Sequence, residues 1–91
     1  LPYIKKENRK ILAYCLDYLI FDLCKLPQEE ITGALNYCIC KLLTEVIDPT
    51  RYNDYNTIMG ILESAKQEIY RRLISHYEDK KKEENGDVFN V

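Results

Sequence analysis

Tryptophan is absent from this chain of 91 residues, and methionine and histidine occur once each. A lone histidine, His76, leaves no Ser–His–acid or Cys–His arrangement to read as a nucleophilic centre. Three glycines, at 33, 60 and 86, are too scattered to cradle a phosphate, and neither HExxH nor a calcium-loop pattern occurs. No apolar run approaches the roughly 20 residues of a membrane span, and no cleavable signal pattern follows KKENRK. A membrane is therefore excluded as a partner. Charge of one sign is missing too. A net charge of −2 gives no general pull toward nucleic acid or an anionic lipid surface.

Four cysteines are present, but without a CxxC pair. On a helix, residues two apart point about 200° from each other, so Cys38 and Cys40 cannot hold one ion. Cys15 and Cys24, nine apart, fall on opposite sides of their helix. The expectation is reduced cysteines serving as small core residues, with no metal. All-helical nucleotide pyrophosphatases hold magnesium with ExxE and ExxD pairs. Here Glu45-x-x-Asp48 lies at a helix end and ExxE does not occur, so no two-metal site can be assembled. The chain reads as a non-enzyme without a cofactor.

What is there is helical periodicity. At this length the sequence predicts one domain, able to bury about 60–65% of its unfolded surface, built as an all-α three-helix bundle running up-down-up. Helix one spans about 6–25, with Leu12, Leu16, Leu19, Leu23 and Leu26 as a core stripe. A second line, Ile11, Tyr14, Tyr18 and Phe21, runs along its far side at steps of three, four and three. A surface helix needs only one apolar stripe. The spare ridge predicts a homodimer seam, unless the terminal Val88-Phe89-Asn90-Val91 folds back over it.

Pro27 and two glutamates restart the chain as helix two, about 28–46. Its core stripe is Ile31, Leu35, Cys38, Ile39, Leu42 and Val46, and Lys41 is the one charge between Ile31 and Thr44. A loop over 47–53 follows, and Asn53 or Asp54 is placed to cap the third helix. That helix, about 54–78, is the longest. Ile58, Ile61, Leu62, Ala65, Ile69 and Leu73 fall within an arc of about 120°. Mixed charge from Glu78 to Glu84 reads as a solvated end, and 79–91 as a tail.

The polar side of helix three carries the candidate binding residues. Glu63, Lys66, Tyr70 and Tyr77 share one face, and Arg72 flanks the opposite edge of the apolar stripe. Glu68 lies three and four residues before Arg71 and Arg72, the spacing of helix-surface ion pairs. Only Arg72 borders the stripe, so Arg72→Ala is expected to cost more stability than Arg71→Ala, through lost packing of its stem and lost pairing with Glu68. Guanidinium groups beside tyrosines also suit an anionic ligand or a partner's carboxylates. Eight tyrosines and two phenylalanines are many for this length. Aromatics interleaved with cations can bind single strands, but acids match the cations here and Lys5, Lys6, Arg9 and Lys10 make only a modest cluster. Tyrosine is also favoured at protein interfaces, which is the reading preferred here over nucleic acid.

Several segments resemble a family of short, uncharacterised proteins encoded by bacteriophages and prophages. They are Pro2-Tyr3-Ile4-Lys5 with Arg9, Leu35-Asn36-Tyr37, Gly60 with Leu62-Glu63, and Glu68-x-Tyr70-Arg71-Arg72. The longest is Tyr77-Glu78-Asp79-Lys80-Lys81-x-x-Glu84-Asn85-Gly86-Asp87-Val88. The resemblance implies a phage or mobile-element origin and the cytoplasm of a bacterial host as the site of action, and it supplies no activity. It adds Asn36 to the candidate binding residues and singles out Glu63 among them. The expected function is that of a self-associating accessory protein that binds a host or phage protein. The alternative is a binder that sequesters an anionic nucleotide between subunits.

Overall fold

The computed structural model describes residues 3–89; the predicted roles of Pro2, Asn90 and Val91 fall outside them. The protein is all-α, and no strand occurs among the described residues. Helix α1 is Lys6–Cys24 and α2 is Gln28–Ile47. The third helix is assembled from α3 (Tyr52–Ile69), a π-helical turn (Tyr70–Ile74) and α4 (Ser75–Asn85), which follow one another without leaving helical backbone angles. Two compact units divide the chain, one of Tyr3–Ile58 and one from Met59 on. They are described separately.

In the first unit, Arg9 reaches back and donates from Nε to the Ile4 carbonyl at 3.0 Å, tying the lead segment to the start of α1. Pro27 caps α2 with an extended backbone, and its carbonyl accepts from Glu30 N–H at 2.9 Å. Having no N–H of its own, proline costs nothing at that place. Helix α2 stops at Asp48, whose φ of 50° puts it in the left-handed region. Aspartate tolerates that region better than most residues, and Pro49 then blocks any continuation.

The third helix opens two residues earlier than its spacing suggested. Asp54 does cap it, but from inside the first turn. Its carboxylate accepts from the N–H groups of Arg51 at 3.0 Å and Thr50 at 3.1 Å, the reaching-back half of a capping box. Those two backbone donors hold the Asp54 pKa below its ordinary value.

Helices α1 and α2 touch each other. Half-buried side chains mark the meeting at the turn, Leu19 and Leu23 on one helix and Ile31, Ala34 and Cys38 on the other, and a second group, Leu43, Ile47 and Ile58, lies where α2 gives way to the third helix. Away from the turn the same stripes lie open. Leu12 is 51% and Leu16 49% exposed on α1, and Leu42 is 53% and Val46 77% exposed on α2. This corrects the expectation of a core. No described residue is buried, because two helices paired near one end cover only part of each other's apolar side. The cysteines follow suit. All four are free, with Cys15, Cys24 and Cys40 exposed and Cys38 half-buried, so none is a core residue.

Helix also persists past Tyr77, through Asn85, where the sequence suggested a tail. Local pairs explain it: Lys82 to Asp79 at 3.5 Å and Lys81 to Glu84 at 3.2 Å, both at i,i+3 spacing. The helix ends at Gly86, whose φ of 87° suits glycine, with its N–H returned to the Lys82 carbonyl at 2.8 Å.

Candidate functional site

The second unit is organised by the π-helical turn. In an ordinary helix the Ser75 N–H would bond the Arg71 carbonyl; here it bonds Tyr70 O, one residue further back. The carbonyl thereby released accepts instead from the Ser75 hydroxyl at 2.8 Å. Serine is suited to this, because its side chain bonds backward along a helix. One extra residue in the turn rotates everything beyond it by about 100° relative to an unbroken helix.

That rotation changes which residues share a face. Glu63, Lys66 and Tyr70 precede the turn and stay in line, with Lys66 Nζ 3.8 Å from Glu63 Oε2. Glu63 also accepts from Gln67 at 2.9 Å. Tyr77 lies beyond the turn and leaves their face, against the sequence expectation. It stands 62% exposed, with Lys81 Nζ 5.6 Å from its ring centre. In exchange, Tyr70 and Glu78, eight residues apart, come to the same side, since the extra residue gives them the phase of a seven-residue step. The Glu78 carboxylate accepts from the Tyr70 hydroxyl and repels the phenolate, so the Tyr70 pKa is raised.

Ion pairing differs from expectation as well. Arg71 takes the Glu68 carboxylate, its Nη2 lying 2.8 Å from Oε1 and 3.0 Å from Oε2. Arg72, whose side chain was expected to pair with Glu68 as well, is not its partner. Within the π turn neighbouring side chains no longer stand at the usual 100° steps, and the nearer arginine reaches Glu68. Asn36 is exposed on α2, in the other unit.

A cleft of about 630 Å³ lies beside the turn, lined by Tyr70, Ser75, Glu78, Lys82, Asp87 and Phe89 among others. Lys82 holds its two sides together, 3.5 Å from Asp79 and 3.9 Å from Asp87. Asp87 in turn accepts from the Phe89 N–H at 3.0 Å. Val88 and Phe89 thus border this cleft. Of Lys66, Tyr70, Arg71 and Arg72, which a phosphate-bearing ligand would need on one cleft, only Tyr70 lines it. Three carboxylates (Glu78, Asp79 and Asp87) outnumber the two lysines there, which disfavours an anion. Helical periodicity contains no sign of the cleft; the one local signal is Ser75, whose hydroxyl satisfies the displaced carbonyl.

In the first unit the ridge is fully formed. Ile11 is 71%, Tyr14 76%, Tyr18 74% and Phe21 62% exposed, along the side of α1 turned away from α2. Tyr14, Asp17, Tyr18 and Phe21 line a shallow apolar groove of about 310 Å³. Lys25 covers one end, its Nζ 4.2 Å from the Phe21 ring centre.

No group of three or more His, Cys, Asp or Glu able to hold a metal occurs among the described residues, and no helix there is long and apolar enough to cross a membrane. Residues 1–88 match the family model described as Domain of unknown function (DUF6899). The chain belongs to that family. No curated protein and no solved structure matches it. The segment Tyr77–Val88, on which the resemblance to uncharacterised short proteins chiefly rested, is the one that builds the cleft of this DUF6899 member.

Proposed function

We propose that this DUF6899 protein is a non-enzymatic, self-associating accessory protein of a phage or prophage, acting in the cytoplasm of a bacterial host by binding a host or phage protein. The observation that carries the reading is the aromatic ridge on α1, four large side chains each at least 62% exposed in one line. Tyrosine and phenylalanine supply much contact area at little entropic cost, and protein interfaces are enriched in them. Isolated exposed side chains are ordinary on a monomer; a contiguous ridge of them marks a contact surface.

The test is capture from infected host cells with the wild type and a Tyr18→Glu variant as baits, each checked for helicity. The expected result is a protein retained by the wild type and lost by the variant. Equal recovery by both baits would overturn the ridge as the contact surface. Catalytic turnover of a nucleotide by the purified chain would overturn the binding role itself.

A further inference from the structure

We infer that the open inner side of the α1–α2 hairpin, rather than the aromatic ridge, is the seam for a second copy of this chain. The inference rests on the self-association proposed above and moves its location. Leu12 and Leu16 continue the line of Leu19 and Leu23, which meet α2 near the turn. On α2, Leu35, Ile39, Leu42 and Val46 recur at steps of four, three and four beside the half-buried Ile31 and Cys38. These six side chains are 44–77% exposed. Beyond the turn the two lines open onto a groove of about 330 Å³, with Leu19, Leu42 and Val46 in its wall.

Three features select a second copy as the occupant. The first is area. Half the surface of six large aliphatic side chains comes to roughly 500 Å² per copy, so two copies reach the ~1,000 Å² expected of a specific interface. The second is charge. Lys41, the one charge between Ile31 and Thr44, is already neutralised by Glu45 at 2.6 Å. Both line the groove, so this part of α2 brings no net charge to a self-complementary seam. The third is architecture. Two hairpins with their apolar sides facing complete a four-helix bundle, in which each stripe gains the facing surface it lacks. The ridge of α1 points away from this seam and stays free to meet another protein.

The experiment is sedimentation equilibrium over a wide concentration range, with helicity followed by circular dichroism. The wild type is expected at twice the chain mass of 10.8 kDa. Ile39→Glu should lose the dimer, and Ile39→Ala, which keeps a good helix former, should weaken dimerisation by at least about tenfold. Tyr18→Glu should leave it unchanged. A dimer that survives both Ile39 variants but is lost in Tyr18→Glu would overturn this seam and leave self-association standing. A wild type that stays monomeric at the highest concentration would overturn both.

Discussion

The α1–α2 hairpin and the segment from Met59 onward are both helical, yet different forces hold them. The hairpin is rich in aliphatic side chains, with Lys41 the one charge between Ile31 and Thr44, and its stripes are half open. The later segment supports itself from within: Arg71 on Glu68, Lys66 on Glu63, Lys81 on Glu84 and Lys82 on Asp79 all pair within one turn. Local pairs of this kind contribute only about 0.2–0.5 kcal/mol each, but they need no second surface. Apolar stripes contribute far more, and only when something covers them. The contrast teaches that in this protein the region with the larger potential stabilisation is the one that cannot realise it alone.

The largest effect should come from breaking that contrast directly. Leu16→Ala removes a side chain that is 49% exposed in the single chain, a site where loss of about 1 kcal/mol would be ordinary. If the stripe is covered in solution, the cost rises to about 2–4 kcal/mol, as for a core leucine. Leu73→Ala, at a site 66% exposed in the second region, should stay under about 1 kcal/mol. Denaturant titration at high protein concentration compares them, and equal costs would erase the difference between the regions.

A smaller, stabilising effect is expected at two glycines, one in α2 and one in α3. A Cβ built on Gly33 or on Gly60 meets nothing within 4 Å. Each Gly→Ala change should therefore stabilise its helix by about 0.5–1 kcal/mol, read as a rise in the thermal midpoint. A fall at Gly33 alone would place another backbone close against that side of α2 and redraw the surface of the hairpin.

Smaller still is the difference between the paired arginines. Arg71→Ala should cost about 0.5 kcal/mol through loss of the Glu68 pair, and Arg72→Ala less, since Arg71 is the arginine that holds the carboxylate. Chemical denaturation of the two variants checks the order. A larger loss for Arg72→Ala would mean that the π turn relaxes to ordinary helix in solution.

Acid gives the mildest effect, at the entry to the third helix. The folded-state pKa of Asp54 is depressed by the Thr50 and Arg51 N–H groups. Its contribution is therefore complete above the ordinary aspartate value of about 4. Below that it fades, and it is lost once pH has fallen through the lowered folded-state value. Asp54→Asn should lower the midpoint at pH 7 and bring the variant closer to the wild type near pH 2. A constant gap between them across that range would count against the cap.

Much of this was legible in the residues. Pro27 and Pro49 punctuate the helices where they should, because a missing N–H is tolerated only at a first turn or beyond a last one. The ridge Ile11, Tyr14, Tyr18 and Phe21 emerges as drawn, because helical phase over ten residues is fixed by 3.6 residues per turn alone. The candidate site fared differently. Glu63, Lys66 and Tyr70 kept their common face, while Tyr77 lost it and Arg71 displaced Arg72 as the partner of Glu68.

By itself, then, the sequence determined the helices, their punctuation and which side of each is apolar, since all of these depend on contacts within a few residues along the chain. Two matters were left to the three-dimensional structure. One is the π turn at Tyr70–Ile74, where an ordinary and a shifted hydrogen-bond ladder are both open to the same residues and a periodic reading presumes the ordinary one. The other is how much of each apolar stripe finds cover. Burial is a property of facing surfaces rather than of a periodic pattern, and the stripes of α1 and α2 meet only near their turn.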